Sequence, residues 1–266
     1  MELLCPLCGG TLQQTDKTCR CAANHSFDIA RQGYVNLLPV QQKRSLNPGD
    51  TRAQVLSRRA FLEEGFYAPI LNTLCTAATE LGCDGPILDV GCGEGYYSTR
   101  VAQTVNAPLT GLDISKEAVR CAAAKYKNAQ WVCGSAAHLP FPDNSAGLLM
   151  SLFALTVPEE FRRVLRSDGF YFQVLAQEDH LQGLKSIIYP TLTHKEKNTT
   201  PQLPGFTLVK QIPIRFSFTV EGIQVQNLLS MTPHVYRISK EGAQRLAETD
   251  KLTDTASAVL NIYRPA

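Results

Sequence analysis

The stretch that most restricts the fold lies a third of the way along the chain, at Pro86-Ile-Leu-Asp-Val-Gly-Cys-Gly-Glu-Gly-Tyr-Tyr. Ile87 to Val90 is a short apolar run bounded by turn residues, the pattern of a buried parallel strand. Gly91, Gly93 and Gly95 come next, and Tyr96 to Val105 can open a helix. Strand, glycine turn and helix together make the βα corner of nucleotide-binding α/β sheets, where glycine lets the backbone approach a ligand closely. The flanking residues decide which nucleotide fits. A dinucleotide fingerprint wants glycine at position 96, beside the pyrophosphate, and tyrosine stands there. Asp89 at the strand's end and Glu94 inside the loop would repel phosphates. They suit a cation.

A second strand, Leu109 to Leu112, leads into Asp113, 18 residues beyond Gly95. An acid at that tip is placed to accept hydrogen bonds from both hydroxyls of a ribose. A ribose and an adenine, no phosphate and a positive centre describe S-adenosylmethionine. Asp89, Gly91, Gly93, Glu94 and Asp113 are its candidate contacts.

The other informative stretch is the first tenth of the chain, which holds four of the nine cysteines. Cys5-x2-Cys8 and Cys21-x3-His25 are short pairs separated by twelve residues. Each pair closes a tight turn, and two such turns complete the tetrahedron that structural zinc adopts. Gly9 and Gly10 free the backbone to fold back as a ribbon. So short a segment cannot bury a core, so metal binding would have to supply its fold. Cys19 is a rival to Cys21; the three-residue gap from Cys21 to His25 makes the more compact knuckle. Reduced, unligated thiols or disulfides are the other readings. Redox chemistry at Cys5 and Cys8 lacks the strand and βαβ setting it needs.

The remaining cysteines, Cys75, Cys83, Cys92, Cys121 and Cys133, stand singly and read as small buried hydrophobes. An apolar content of 44% with 19% charge describes an ordinary globular chain. It contains no run of about 18 apolar residues, so no membrane helix is expected. Nor does MELLCPLCGG resemble a secretory signal, which points to a cytoplasmic chain with reduced thiols. The net charge of +2 says little, but its distribution says more. Arg31, Lys43, Arg44, Arg52, Arg58 and Arg59 face one acid, Asp50, in a run that reads as a solvated face or a nucleic-acid contact.

Asp89-Val-Gly-Cys-Gly-Glu-Gly95 and Gly-Leu-Asp113-Ile-Ser resemble the first two motifs of class I S-adenosylmethionine-dependent methyltransferases. The resemblance implies a Rossmann-like α/β sheet, mostly parallel and seven-stranded. Gln130–Gly134 would be the third strand, Ala137–Asp143 the turn against the adenine, and 148–153 the fourth strand. A helix over 158–166, a fifth strand over 170–176, and last strands over 206–220 and 259–263 would complete it. The usual acid before the fourth strand is absent, and Leu152-Phe-Ala-Leu155 lacks the Asn/Asp-Pro-Pro-aromatic motif of many amine methyltransferases.

A closer resemblance covers nearly the whole chain. Cys5-Pro-Leu-Cys8, Cys21 to His25, Gly33-Tyr-Val-Asn-Leu-Leu-Pro39, Pro48-Gly-Asp50, Arg58-Arg-Ala-Phe61 and Met231-Thr-Pro233 resemble the bacterial large-subunit rRNA guanine-N1 methyltransferases. The resemblance implies a zinc-binding domain over 1–36, a basic linker over 37–64 and a methyltransferase domain over 65–266. It implies zinc on Cys5, Cys8, Cys21 and His25, and cofactor contacts at Tyr67, Gly93, Glu94 and His180. Its substrate would be a 23S rRNA hairpin, met by a homodimer whose zinc domains flank the RNA. On this reading the basic run meets phosphates, and Tyr34, Phe61, Phe66 and Tyr67 are aromatics available for stacking. Glu178, Asp179 and His180 are candidate bases for the N1 proton, with none preferred, while 152–155 and Met231–Tyr236 would border the acceptor. A small-molecule methyltransferase and an RNA-binding protein with a vestigial cofactor fold are the alternatives.

Overall fold

The computed structural model describes residues 1–39, 45, 48–192 and 197–266. At its N-terminal end β1 (Leu3–Leu4), β2 (Thr11–Thr15), β3 (Thr18–Arg20) and β4 (Ser26–Asp28) form a four-stranded antiparallel sheet in that order. Its strands are too short to bury a core of their own. Leu3, Leu12 and Cys19 instead join an apolar cluster with Val90, Leu112 and Leu139 of the larger unit, and Leu4 N donates to Pro140 O at 2.9 Å.

The larger unit begins with β5 (Tyr34–Asn36), α1 (Arg52–Glu63) and α2 (Ala68–Glu80). Then β6 (Ile87–Val90), α3 (Tyr96–Thr104), β7 (Leu109–Asp113), α4 (Lys116–Lys125) and β8 (Gln130–Cys133) alternate as βα units. They are followed by β9 (Ala146–Leu152), α5 (Pro158–Val164), β10 (Leu165–Ala176) and α6 (Gln182–Ile188). The chain closes with β11 (Phe206–Glu221), α7 (Ile223–Ser230), a 3-10 turn at Pro233–Tyr236, α8 (Lys240–Ala247) and β12 (Lys251–Pro265). The sheet order is β11-β12-β10-β9-β6-β7-β8-β5, parallel from β10 to β5, with β12 antiparallel to both of its neighbours.

This is the mostly parallel Rossmann-like sheet of the class I methyltransferases, with one strand more than seven. The extra strand is β5, pairing Tyr34 with Trp131, Val35 with Val132 and Asn36 with Cys133. Three residues carry no readable periodicity, so only the distant partner makes them a strand. The pairing places the end of the 1–36 segment in the large sheet, and within 37–64 the residues Arg52–Glu63 form α1. Thr51 starts that helix with a reciprocal cap: its side chain accepts from Gln54 N, and the Gln54 amide oxygen accepts from Thr51 N.

Alternation along the strands sends side chains to two faces. Ile87 and Leu148 join Phe61, Ile70, Val101 and Leu184 under the helices, while Leu88, Val90 and Leu149 meet Phe161, Tyr171 and Tyr263 on the other side. Burying one such side chain is worth roughly 1.5–3 kcal/mol, so the two faces together hold the sheet. Strand order reverses between β6 and β9, which leave opposite ways from the sheet's middle. A ligand crevice opens beyond the carboxyl ends of strands at such a switch point.

Candidate functional site

The glycine turn sits at that switch point. Gly91 N and Cys92 N donate to Leu112 O at 2.8 and 3.1 Å, tying the turn to β7. Gly91 and Gly95 have φ of +80° and +82°, the left-handed region that side chains resist. A Cβ on Gly95 would enter the Trp131 indole, and one on Gly91 would stand 2.6 Å from the Ala154 Cβ just past the tip of β9.

Two carboxylates project into this turn without full partners. Asp89 is 3% exposed and its Oδ1 has no hydrogen bond; burial pushes its carboxyl up to about 7. Glu94 is 2% exposed, its Oε1 likewise unpartnered and its carboxyl raised by burial. Ser98 Oγ, one turn into α3, is the third orphaned buried atom. An unmade buried hydrogen bond costs about 1–3 kcal/mol, so three around one turn mark a place for a ligand rich in donors and positive charge. Asp113 is placed differently from a bare ribose acceptor. Its Oδ2 accepts from Gly93 N and its Oδ1 from Ser115 N, both at 2.8 Å, so it also fastens the turn to the start of α4. Each oxygen keeps acceptor capacity for a hydroxyl. The residues present fit a sulfonium nucleoside.

Tyr67 and His180 meet on the helix-covered side of the sheet. Tyr67 precedes α2, His180 follows β10, and their Oη and Nε2 lie 3.5 Å apart. Ser257 N donates to His180 Nδ1 at 3.1 Å, which leaves the ring proton on Nε2, facing the tyrosine. Burial and the nearby Lys185 and Lys197 push His180 down to about 4, so it is a neutral imidazole. Burial also raises the Tyr67 hydroxyl far above its ordinary range. Phe153, at the tip of β9 with φ of +54°, lies 6.0 Å from the His180 ring. Its position joins the tip of β9 to the His180 turn.

Several residues take a part at this turn that the sequence did not foresee. Arg58 pairs with Asp50, reaches Met231 O at 3.5 Å and comes close to Gly93. Ser115 donates to Asp50 O at 2.7 Å, so 48–50 is latched over the end of β7. Trp131 backs the glycine turn with its indole N–H on Tyr126 O at 2.9 Å. The Pro48-Gly-Asp50 motif was the available signal for the first two; nothing local marks Trp131.

The basic run divides on folding. Arg58 and Arg59 are neutralised by Asp50 and Glu63, Arg31 and Arg52 are exposed, and Lys43 and Arg44 lie outside the described residues. The stacking aromatics are a correction: Tyr34, Phe61 and Tyr67 are at most 4% exposed, and Phe66 packs on Phe61, so all four belong to the core. Of the residues expected to border the acceptor, Leu155 and Tyr236 are well exposed, Tyr236 donating to the Gln54 side chain at 2.9 Å.

In the ribbon, Cys5, Cys8, Cys21 and His25 bring one donor atom each within 4.8 Å of the others. Cys8 and Cys21 sulfurs are 3.6 Å apart, and His25 Nδ1 lies 3.4 and 3.5 Å from Cys5 and Cys21 sulfurs. A tetrahedron with zinc–sulfur of about 2.3 Å and zinc–nitrogen of about 2.0 Å has edges of about 3.5–3.8 Å. The set fits zinc. Knuckle bonds hold it open, Gly9 N to Cys5 O and Asn24 N to Cys21 O, with Gly9 and Asn24 at positive φ. Burial works against ionising Cys21, yet the His25 and Ala23 amides and the Cys8 thiol bring it down to about 7. Cys19 lies on β3 opposite Phe27, buried and outside the cluster, which settles its rivalry with Cys21.

Comparison with known proteins agrees with this architecture. The family model described as RlmA, N-terminal, matches residues 3–46, and a methyltransferase-domain model matches 87–169. The 23S rRNA (guanine(748)-N(1))-methyltransferase of Streptomyces fradiae is 34% identical, over 99% of this chain and 96% of its own. A candidate 23S rRNA (guanine-N(1)-)-methyltransferase of Micromonospora griseorubida is 33% identical over 99% and 97%. Among solved structures, a candidate type II methyltransferase of Anaeromyxobacter dehalogenans, 17% identical, superposes with a TM-score of 0.51 over 71% of this chain and 95% of its own, a likeness of fold alone. S-adenosylmethionine and structural zinc are the cofactors of this pairing of methyltransferase sheet and ribbon. Matched at that identity over nearly its whole length, the chain belongs to the 23S rRNA (guanine-N1)-methyltransferase family.

Proposed function

We propose that this chain transfers the methyl group of S-adenosylmethionine to N1 of a guanine in a 23S rRNA hairpin. The observation that carries the reading is one chain joining a switch-point crevice, with Asp89 Oδ1 and Glu94 Oε1 unpartnered, to a zinc-fitting cluster in a ribbon that matches the RlmA N-terminal model. In this reading Tyr67, Asp89, Gly91, Gly93, Glu94, Asp113 and His180 hold the cofactor, and Cys5, Cys8, Cys21 and His25 hold zinc. Residues 1–36 position the RNA with Arg31 on phosphate, 37–64 lead it toward the crevice with Arg52 on phosphate, and 65–266 carry out the transfer. The enzyme works in the cytoplasm as a homodimer.

The cofactor, when bound, supplies a methyl group already activated on a sulfonium. The chain's part is placement. Asp113 accepts ribose hydroxyls while holding Gly93 in position, and the Asp89 and Glu94 carboxylates favour the positive charge of the donor. Tyr67 and the neutral His180 close the crevice from the helix side and add no cation of their own. A labelled-methyl assay on undermodified 23S rRNA, with the modified position mapped by reverse-transcription stop, tests the reading. Transfer to one guanine, lost in Asp113→Ala, is expected; transfer to metabolites but not to rRNA would overturn it.

A further inference from the structure

The glycine turn is filled at both ends and open in its middle. A Cβ on Gly91 would strike the Ala154 side chain, and one on Gly95 the Trp131 ring. At Gly93 the setting differs: among the described residues beyond its chain neighbours, a Cβ there would meet within 4 Å only Arg58 Nη1, at 3.9 Å. Room for a ligand group therefore lies over Gly93, with a guanidinium as its wall. Gly93 N donates to Asp113 Oδ2 at 2.8 Å, so this space adjoins the ribose acceptor.

S-adenosylmethionine brings more to the turn than a ribose and a sulfonium. Its amino-acid end carries an ammonium and a carboxylate on one carbon. Asp89 and Glu94, each with an unpartnered buried oxygen, suit the ammonium and the sulfonium. The same acids repel the carboxylate, which needs a cation beside the turn. Burial raises the Glu94 and Asp113 carboxyls, and the Arg58 charge works against burial at both. Lys125 and Arg59 also act on Glu94, but both are paired with Glu63.

Arg58 is built to receive a second acid. It rises from α1, pairs through Nη1 with Asp50 Oδ2 and donates from Nη2 to Met231 O at 3.5 Å. Those two contacts fix the plane of the guanidinium without exhausting its fork of N–H donors. Its side chain is 24% exposed, so an ion contact there is partly sheltered from water. A group held in place beforehand loses little freedom when the ligand arrives.

We propose that Arg58 receives the carboxylate of the cofactor's amino-acid end over Gly93, so that the crevice selects nucleosides bearing an amino acid. The assignment rests on S-adenosylmethionine as the cofactor and adds a contact that the acids of the turn cannot make. It is independent of which base is methylated.

The test is calorimetric titration of the zinc-loaded full chain, without RNA, with three nucleosides. They are S-adenosylmethionine, S-adenosylhomocysteine and decarboxylated S-adenosylmethionine, which keeps the sulfonium and the ammonium but has no carboxylate. Wild type should bind S-adenosylmethionine about 10–100-fold more tightly than the decarboxylated form. Arg58→Met should lose about that factor for S-adenosylmethionine and S-adenosylhomocysteine alike. It should bind the decarboxylated form at least as well as wild type, which also reports an intact turn. Asp50→Asn removes the ion pair but keeps the guanidinium, so its preference should persist. A wild type indifferent to the carboxylate, Arg58→Met with the wild-type preference, or Asp50→Asn losing it as fully, would overturn the assignment and leave the cofactor standing. Wild type that binds none of the three would overturn both.

Discussion

Asp89 and His180 are ionisable groups held away from their ordinary titration by burial, and they act on stability in opposite directions. Asp89 titrates near 7 when folded, well above an exposed carboxyl, so the folded chain holds an extra proton between those values. Stability from this residue therefore falls as pH rises from about 4 to 7 and stays low above, by a few kcal/mol at most. Asp89→Asn should melt higher than wild type at pH 8 without cofactor and bind S-adenosylmethionine poorly, read by calorimetry and titration. His180 is the mirror case. Its folded value of about 4 lies below that of an exposed histidine, so its contribution is intact above about 6.5 and fades as pH falls toward 4. Between pH 7 and pH 5 the loss is about 2 kcal/mol, and urea midpoints of wild type and His180→Gln should converge over that interval. Gly95→Ala would meet both a φ of +82° and the Trp131 ring. We expect a loss of about 2 kcal/mol or more by thermal unfolding, with cofactor binding lost as the turn shifts.

At the scale of elements, the ribbon and the glycine turn draw on different sources of order. The ribbon's strands hold two to five residues each, and metal binding at the Cys5, Cys8, Cys21 and His25 cluster is predicted to supply most of their cohesion. Chelation should raise amide exchange across 3–28 while β6, β7, β9 and β10 stay protected. Cys21→Ser should lose zinc by elemental analysis and Cys19→Ala should keep it. The glycine turn instead has β7, Trp131 and the latch of Asp50 and Ser115 around it, so it is built before the ligand arrives. Helix α1 leans on that latch through Arg58, and its Thr51 cap is worth about 1 kcal/mol. Such an arrangement ties the segment between ribbon and sheet to the cofactor crevice.

For the whole molecule, the proposed homodimer predicts a mass near twice 29.2 kDa by light scattering. The exposed Arg31 and Arg52 predict RNA binding that weakens with salt, and Arg52→Ala should lower the salt slope by about one phosphate contact. The sequence by itself determined the βα corner, because a glycine turn after an apolar strand has few foldings and Asp113 at its distance names a ribose. It also pointed to a zinc ribbon, because CxxC and CxxxH turns are local, but left Cys19 against Cys21 open until the fold put Cys19 outside the cluster. β6 was legible to the residue and the helices α3 and α5 to within two residues, because their cues lie within their own stretches. Contacts distant along the chain were decided only in three dimensions. Tyr34–Asn36 became an eighth strand because β8 offered an open edge, and Arg58 turned from the basic run to Asp50 because the fold brought them together. Tyr67 and Phe61 went into the core for the same reason, since an aromatic ring follows whatever surface the helices leave to cover it. Among Glu178, Asp179 and His180 the sequence offered no choice, because three adjacent proton-holding side chains differ only in their neighbours. Arg215, Ser257 and Tyr67 supply those neighbours from far along the chain, and tertiary packing alone sets them beside the turn.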